Sequence, residues 1–202
     1  MPGLSRDPQT LLQLVGADLT PAKVRDASLV LIDLQNEYLK GPIAVANAET
    51  AVASAAHLLA LARQSGAPVL HIAHKGRPGG LFDRAVQRGQ IVPQLAPHSG
   101  ETVIEKSLPN SFAGTELQAL LTKAGRKDLI LAGFMTHMCV SSTARAAVDL
   151  GYRCTIASSA CGTRDLPDGR GGVVAAETVH DVALVELSDR FAVIANSVEE
   201  LA

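Results

Sequence analysis

Three side chains that can act together on a carbonyl group lie at comparable positions along this sequence. Asp33 ends the apolar run SLVLID, Lys106 ends the short run TVIEK, and Cys139 follows the apolar run LILA at residues 129–132. A carboxylate can accept the proton of a thiol, and a lysine ammonium group can keep that carboxylate ionised and oriented. These residue types together therefore predict nucleophilic catalysis by a thiolate.

Each of the three residues alone also fits an ordinary structural role. Cys139 could be a buried core cysteine, Asp33 could cap a loop, and Lys106 could lie in solvent at a strand end. The position of Cys139 between a strand and a helix favours reactivity, because the first turn of a helix offers unpaired N–H groups and a positive dipole end to a thiolate. We predict that Thr136 caps this helix and that Gly151 ends it.

Six apolar runs, separated by helical patterns, predict the elements that position these residues. The predicted strands are residues 28–33, 68–74, 102–106, 129–132, 152–158 and 191–196, and the predicted helices are residues 47–65, 115–124, 136–150 and 172–188. Such alternation is typical of right-handed βαβ crossovers and of a parallel sheet covered on both faces. Ligands bind such sheets at the carboxyl ends of the strands, near the reversal of strand order. If the strands of Asp33 and Cys139 are neighbours there, Lys106 can join them.

The remaining segments are an N-terminal arm and two long connections. Residues 1–26 are polar and interrupted by proline, with one short helical turn at LLQLV, and the whole chain of residues 1–202 is predicted to form a single domain. Residues 74–101 are rich in glycine and proline and too long for a simple connection, which fits either a lid over a substrate or a surface excursion. Residues 158–170 are predicted to form a second loop.

The composition argues against several classes of protein. A net charge of −2 and a pI near 6.3 give no sign of a nucleic-acid or anionic-membrane partner. Tryptophan is absent and aromatic residues make up 3%, which argues against stacking platforms for single-stranded nucleic acid. No run approaches the roughly 18 apolar residues of a membrane span, and the N-terminal segment lacks the order of a signal peptide. The three cysteines do not make a disulfide framework, so we predict a cytoplasmic protein.

Three segments resemble the signature segments of a known family. They are DLQNEY at residues 33–38, KSLPNSFAGTEL at residues 106–117 and AGFMTHMCVSSTARAAVDLGY at residues 132–152, and they occur in the family order. On these segments the chain resembles the isochorismatase-like cysteine hydrolase superfamily, which includes nicotinamidases, carbamoylsarcosine amidohydrolases and related amidases. The resemblance extends over about residues 28–195. It implies a three-layer α/β/α sandwich with a six-stranded, mainly parallel sheet.

The resemblance also implies roles for individual residues. Asp33, Lys106 and Cys139 correspond to the catalytic triad of the family, with Cys139 as the nucleophile. A non-proline cis peptide is expected between Phe134 and Met135, and the N–H groups of Met135 and Cys139 would form the oxyanion hole. In the implied mechanism a thiolate attacks an amide carbonyl and water hydrolyses the resulting thioester. Family members commonly form dimers or larger rings, so a homo-oligomer is expected here.

Five further residues are candidates for binding a small-molecule substrate. Gln35 and Tyr38 match family positions near the acyl pocket, and Phe134 lies at the expected cis bond. Phe82, in the long loop, could close over the pocket, and His137 could favour a polar or acidic group of the substrate. Tyr38 and Phe82 could equally be loop anchors, and His137 could be a helix-start residue that faces solvent.

No metal ion or other cofactor is expected. Nicotinamidases bind a metal through an Asp-x-His pair and a further His, and the matching loop LKGPIAVANAET at residues 39–50 contains neither Asp nor His. His71 and His74 lie three positions apart but lack further ligands. We therefore predict neither a zinc site nor nicotinamide as the substrate.

Three functions remain open on the sequence. The first is a metal-independent cysteine hydrolase that cleaves the C–N bond of a small amide or carbamoyl compound. The second is an isochorismatase-type vinyl-ether hydrolase, which can use the acid and the lysine without the cysteine. The third is a non-catalytic binding or redox protein in which Cys139 is an oxidisable switch. The presence of Cys139 favours C–N bond hydrolysis, whereas a sensor would need neither the acid nor the lysine.

Overall fold

The computed structural model describes residues 7–202, which are arranged around one six-stranded sheet. Its strands are β1 (Ser28–Ile32), β2 (Val69–His74), β3 (Thr102–Lys106), β4 (Asp128–Phe134), β5 (Arg153–Gly162) and β8 (Val193–Ala195). The helices are α1 (Leu11–Leu14), α2 (Ala48–Ser65), α3 (Leu117–Ala124), α4 (Ser141–Asp149) and α5 (Ala176–Arg190). Two short strands, β6 (Leu166–Pro167) and β7 (Val173–Val174), form a separate antiparallel pair.

All neighbouring strands of the sheet run parallel, in the order β3-β2-β1-β4-β5-β8. The order reverses between β1 and β4, which pair from Ser28 with Leu129 to Ile32 with Gly133. This arrangement confirms the predicted six-stranded parallel sheet. It also places the expected ligand-binding edge at the carboxyl ends of β1 and β4. The end of β3 lies at the same edge, two strands away from β1.

Helices cover both faces of the sheet, which gives the three predicted layers. On one face, α2 packs an alanine- and leucine-rich side against Leu29 and Leu31 of β1. On the other face, α3, α4 and α5 share a core with Val30 and Ile32 of the same strand. Because alternate side chains of β1 enter opposite layers, both sets must be apolar, and the strand reads as a continuous apolar run.

Two predicted boundaries differ from the structure. β5 continues to Gly162 through residues predicted to be a loop, because it resumes pairing with β4 after an irregularity in β5: Leu131 pairs with Ile156, but Gly133 pairs with Cys161 and Phe134 with Gly162. Cys161 therefore lies in a strand. α5 begins at Ala176 rather than at residue 172, because the preceding residues are extended in the β6–β7 pair.

Neither Asn47 nor Thr136 caps a helix through a side-chain hydrogen bond, so the cap predicted at Thr136 is wrong. Asn47 directly precedes α2, but its side chain makes no capping hydrogen bond and its φ is +54°. Thr136 does not cap α4, because its buried hydroxyl pairs with His180 at 2.9 Å and a π-helical turn over residues 136–140 comes first. Both departures lie at the carboxyl edge of the sheet.

The N-terminal arm is attached to the main body of the chain. Residues 1–6 of the predicted arm lie outside the described residues. The backbone N–H of Leu11 donates to Asp189 of α5 at 2.8 Å, and Val24 is buried in the core against α2. The end of the predicted arm is therefore part of the core. Among residues 7–202, no helix is long and apolar enough to cross a bilayer.

The connection between β2 and β3, residues 75–101, folds back on itself. Leu95 is fully buried within it. Gly89 lies so close to Asp83 that an added Cβ would be 2.1 Å from the Asp83 carbonyl oxygen. This close approach requires glycine, so the segment is packed rather than extended, and its role as a lid stays a prediction.

Glu101 fixes the end of this connection to β2 and α2. Its carboxylate accepts hydrogen bonds from Arg63 at 2.7 and 2.9 Å, and Oε2 lies 2.9 Å from Nε2 of His71. The hydrogen bond from Arg63 lowers the pKa of Glu101 to about 2, and burial lowers the pKa of His71. At neutral pH the cluster is therefore a carboxylate held by one guanidinium and one neutral ring.

We expect Glu101→Gln to lower the free energy of unfolding by about 1–3 kcal/mol at pH 7, because Arg63 loses a charged, bidentate acceptor. Since the folded-state pKa of Glu101 is lowered, its contribution is present above the unfolded-state pKa near 4.5 and is lost as the pH falls toward about 2. Denaturant unfolding of the wild type and of Glu101→Gln should therefore show a difference in the free energy of unfolding that becomes smaller as the pH falls. Glu105→Gln is the control and should have a smaller effect, because that carboxylate is 39% exposed. A difference that stays constant with pH would contradict this account.

Candidate active site

The structure brings Asp33, Lys106 and Cys139 together at the carboxyl edge of the sheet. Asp33 directly follows β1, Lys106 ends β3, and Cys139 lies shortly after β4. Nζ of Lys106 is 2.6 Å from Oδ2 of Asp33 and 3.3 Å from Sγ of Cys139. The three residues are 0, 2 and 3% exposed, respectively. An acid, an ammonium group and a thiol therefore form one buried cluster.

A close approach between β1 and β4 makes this cluster possible. A Cβ at Gly133 of β4 would lie 1.9 Å from the carbonyl oxygen of Ile32, so a side chain cannot be placed there. Asp33 has a φ of +51°, a region that aspartate tolerates better than most residues, and its N–H donates to the Ile72 carbonyl at 2.9 Å. This turn ends β1 and sets the carboxylate beside the residues that follow β4.

Cys139 lies within a π-helical turn, Thr136–Val140, that leads from β4 into α4. The peptide bond between Phe134 and Met135, just before this turn, is cis. Turns of this π type are rare and frequently occur at functional sites. The backbone around the thiol is therefore a π-helical turn and not the regular α-helix that the sequence predicts.

His180 of α5 holds the π-helical turn from the side. Its Nδ1 lies 2.9 Å from the hydroxyl of Thr136, and its Nε2 lies 3.3 Å from the hydroxyl of Ser158 in β5. Burial lowers the pKa of His180, so the ring is neutral near pH 7. The position of the turn thus depends on both α5 and β5.

Burial and mutual charge set the protonation states of the cluster. Burial raises the pKa of the Asp33 carboxyl, and the ammonium group of Lys106 opposes this rise. Burial and the charge of Asp33 raise the pKa of Cys139 to about 12, again against the effect of Lys106. The resting site therefore holds Cys139 as a thiol, and the raised pKa of Asp33 makes its carboxylate a stronger base than an exposed one.

Aromatic side chains form a wall beside the cluster. The ring of Tyr38 is 5.1 Å from that of Phe82 and 5.5 Å from that of Phe134, and Phe82 is 4.9 Å from the ring of His74. These distances are typical of tilted and edge-to-face pairs. Burial and the charge of Asp33 raise the pKa of Tyr38, so its phenol is neutral. The structure thus groups three of the predicted substrate-binding residues.

Gln35 has a different role from the predicted substrate contact. Its Nε2 donates to the carbonyls of His74 at 2.9 Å and Gly89 at 2.7 Å, and its Oε1 accepts from the N–H of His74 at 2.8 Å. Both amide hydrogens are therefore committed to the backbone. The structure corrects the prediction, since Gln35 joins the end of β2 to the 75–101 connection.

His137, the fifth predicted substrate-binding residue, is partly buried rather than directed wholly into solvent. Its Nδ1 lies 2.6 Å from the hydroxyl of Thr163, and burial together with the charge of Arg164 lowers its pKa. The ring is therefore neutral at pH 7. His137 can present a polar group, but it carries no positive charge of its own.

Sequence reasoning missed His74 as a member of the site. Its Nδ1 is 3.4 Å from Nζ of Lys106, and burial and the nearby ammonium group lower its pKa to about 4. The neutral ring can therefore accept a hydrogen bond from Lys106. The sequence carries the signal, because His74 ends its strand at the edge where Asp33 and Lys106 lie.

Arg164 is a second residue that the sequence did not reveal. It follows β5, and its charge lowers the pKa of His137 and opposes the rise in the pKa of Tyr38. Its Nε is buried and has no hydrogen-bond partner within residues 7–202. Nη1 donates to the carbonyl of Asp165 at 3.2 Å, whereas Nε remains available to an anionic group. No local pattern distinguishes this arginine from those on the surface.

The described part of the chain offers no cluster of three or more His, Cys, Asp or Glu side chains that could hold a metal ion. The two histidines considered above have separate partners. His71 pairs with Glu101 at 2.9 Å, whereas His74 lies against Lys106. An ammonium group beside His74 would also repel a metal cation.

Comparison with known proteins establishes the family. Residues 27–199 match the family model of the isochorismatase domain. The chain belongs to the isochorismatase family. The crystal structure of an isochorismatase from Pseudomonas putida matches with a TM-score of 0.93 and 45% identity, over 96% of this chain and 100% of that one. A secreted isochorismatase effector of Verticillium dahliae is 38% identical over 91% of this chain and 95% of its own length. A maleamate amidohydrolase of Pseudomonas putida is 30% identical over 69% of this chain and 74% of its own length.

Membership of the isochorismatase family confirms the predicted family, fold class and enzyme class, a hydrolase. Other predictions stay predictions. The cytoplasmic location is one of them, and one relative is described as secreted. The homo-oligomer is another. The three cysteines of the described part are free and buried.

We expect Asp33→Asn to lower the pKa of Cys139 below about 12, because it removes a negative charge while Lys106 stays 3.3 Å from Sγ. Thiolate absorbance would be followed against pH in the wild type and in this variant. Cys139→Ala, which keeps Cys154 and Cys161, supplies the background to subtract. An equal or higher pKa in a folded Asp33→Asn protein would show that the carboxylate does not act on this thiol.

Proposed function

We propose that this isochorismatase-family protein is a cysteine hydrolase that cleaves the C–N bond of a small amide or carbamoyl compound. The observation that carries the proposal is that one ammonium group, that of Lys106, lies 2.6 Å from Asp33 and 3.3 Å from Sγ of Cys139. Acid, cation and nucleophile are thus adjacent, as a triad of this kind requires. The amidohydrolase among the relatives supports C–N bond cleavage.

The reaction begins with proton transfer from Cys139 to Asp33 as sulfur attacks the carbonyl carbon. The tetrahedral oxyanion collapses, the C–N bond breaks, and Asp33 gives its proton to the leaving nitrogen. A thioester remains on Cys139. Water then attacks this thioester and gives a proton to Asp33, the C–S bond breaks, and that proton returns to sulfur. The balance is one amide and one water converted to one carboxylic acid and one amine.

Lys106 contacts both partners of this proton transfer. When the proton lies on Cys139, Lys106 neutralises the Asp33 carboxylate, and when the proton lies on Asp33 it neutralises the thiolate. The total charge near Nζ therefore stays constant. In a buried site this is favourable, because an unpaired thiolate would be strongly destabilised there.

The oxyanion is proposed to be stabilised by the backbone N–H groups of Met135 and Cys139. Met135 is the residue that precedes the π-helical turn, and Cys139 lies within it, so both groups belong to the backbone that carries the nucleophile. The residues are 4 and 3% exposed, respectively, which keeps competing water away. A single donor in such a position typically contributes about 3 kcal/mol to transition-state stabilisation.

We expect Cys139→Ala to reduce amide hydrolysis at least about 1,000-fold, since no other group in the cluster can form the thioester. A panel of small amides scored by release of ammonia or amine would measure this effect. Ser65→Ala, a substitution at the far end of α2, is the control and should retain activity. Amide turnover that survives Cys139→Ala would exclude the thioester route.

Vinyl-ether hydrolysis is the second candidate function. It is favoured by two comparisons, with proteins named as isochorismatases. In that reaction Asp33 and Lys106 would suffice, so Cys139→Ala should leave ether cleavage largely intact. The same variant therefore separates the two functions, because it abolishes one activity and spares the other.

The substrate is proposed to carry a carboxylate as well as the amide. Arg164 offers a partly buried guanidinium whose Nε has no hydrogen-bond partner within residues 7–202, and its charge acts on the pKa of both His137 and Tyr38. Buried polar groups of this kind usually have a partner, and a carboxylate fits the fork of a guanidinium. The relative named maleamate amidohydrolase acts, by its name, on an amide that bears an acid group.

We expect Arg164→Gln to lower kcat/KM about 10- to 100-fold for the monoamide of a dicarboxylic acid, because a charge-assisted hydrogen bond is lost. The corresponding diamide, which has no carboxylate, should be hydrolysed at an almost unchanged rate. Arg170→Gln, at an exposed arginine between β6 and β7, is the matched control. Equal losses for the monoamide and the diamide would show that Arg164 does not recognise the acid.

A further inference from the structure

Three successive side chains, beginning two residues after Asp33, hold the long connection between β2 and β3. Gln35 donates to the carbonyl of Gly89 at 2.7 Å, and Asn36 donates through Nδ2 to the carbonyl of Gln87 at 2.9 Å. Glu37 accepts a hydrogen bond at Oε2 from the backbone N–H of Phe82 at 3.1 Å. We call Gln35, Asn36 and Glu37 the loop clamp.

Glu37 differs from the other two members of the loop clamp because it is charged and buried. Its side chain is 0% exposed, and Oε1 lies 3.5 Å from Nη1 of Arg88, whose side chain is 53% exposed. Within residues 7–202, Oε1 accepts no hydrogen bond. Burying a carboxylate is unfavourable unless it is paired. A carboxylate at this buried position therefore indicates a function that a neutral side chain would not provide.

Phe82 is the residue on which this carboxylate acts. Its φ is +58°, in the left-handed region that phenylalanine rarely adopts, and its N–H is the group bound by Glu37. The hydrogen bond therefore supports an unfavourable backbone conformation. That conformation directs the ring against Tyr38, at 5.1 Å, and His74, at 4.9 Å.

The ring of Phe82 is one contact away from the catalytic cluster. It packs on His74, and Nδ1 of His74 lies 3.4 Å from Nζ of Lys106. Tyr38 lies on the segment that follows β1 and Phe134 is the last residue of β4, whereas Phe82 belongs to the 75–101 connection. Phe82 is therefore the member of the aromatic wall that can move without displacing the sheet.

We propose that Glu37 is a positioning residue that fixes Phe82 as the wall of the substrate pocket and thereby sets the size of the acyl group that reaches Cys139. Arg88 completes the arrangement from the loop side, because its guanidinium lies 3.5 Å from the buried carboxylate and holds it in place. The selection of acyl groups rests on the proposed role of Cys139 as the nucleophile. The hold on Phe82 does not, so the two can be tested separately.

The first measurement follows the Phe82 amide by hydrogen exchange in the full chain. Glu37→Gln keeps the shape of the side chain and an acceptor oxygen but removes the charge, and Arg88→Gln removes the partner from outside. Each variant is expected to exchange about tenfold faster at this amide. In Glu37→Gln a charge-assisted hydrogen bond is replaced by a neutral one of about half its strength, and in Arg88→Gln the carboxylate loses the group that holds it in place. Arg145→Gln breaks a comparable ion pair, 3.3 Å long with Glu186, and should leave the Phe82 amide unchanged.

The second measurement reads access to Cys139 without any turnover. Alkylation by iodoacetamide, a small amide, is compared with alkylation by a bulky aromatic maleimide, and the modified residue is identified by peptide mass. In Glu37→Gln and Arg88→Gln the rate with the maleimide should rise about tenfold relative to the rate with iodoacetamide, matching the increase in local opening. With a small amide substrate, KM should rise while kcat changes little.

The outcomes separate the two proposals. Wild-type exchange at the Phe82 amide in both variants would overturn the role of Glu37, whatever the activity of the protein. If Glu37→Gln does not fold, Arg88→Gln decides, because its side chain is largely in solvent. Faster exchange with an unchanged ratio of alkylation rates would overturn the link between Phe82 and acyl size. A Cys139 that resists both reagents in every variant would instead count against the proposed nucleophile.

Discussion

The site depends on a buried ion pair between Lys106 and Asp33. Both side chains are fully buried, and their 2.6 Å contact has to offset the loss of two hydration shells. Removing either partner from such a pair typically costs about 3–5 kcal/mol, because the remaining charge has no solvent. Lys106 therefore has further acceptors, among them the carbonyl of Leu108 at 3.1 Å. The cluster is tied to strand ends because a flexible loop could not hold it this closely.

The sheet and the connecting segments contribute different parts of the site. The ends of β1 and β3 and the turn after β4 fix the groups that can carry out the reaction, and these positions follow from strand order and register. The aromatic wall and Arg164 belong largely to connecting segments, and these segments decide which molecule fits. The hexapeptide DLQNEY at residues 33–38 serves both parts, because it supplies the acid and also the side chains that hold the connection.

Much of the architecture could be predicted because it depends on patterns local to the sequence. The apolar run of β1 predicts a strand buried on both faces, and the residues at the strand ends predict a shared edge once the sheet is parallel. The continuation of β5 to Gly162 could not be predicted in this way, since it depends on a shift in the pairing register between β5 and its neighbour β4. The interaction of Thr136 with His180 of α5 joins residues far apart in the chain, so local capping rules gave the wrong partner. Gln35 shows the same limit, because its place in a signature segment indicated importance but not which groups its amide would bind.

The loop clamp has a consequence for how the length of this chain can vary. The end of β1 fixes the positions of the acid and of the three loop-clamp residues that follow it. Inserting or deleting a residue within residues 33–38 would therefore displace the loop contacts relative to the acid. By contrast, the exposed stretch between β6 and β7 could change length without moving any strand that carries the cluster. Insertions are therefore tolerated between β6 and β7, whereas residues 33–38 can change by substitution alone.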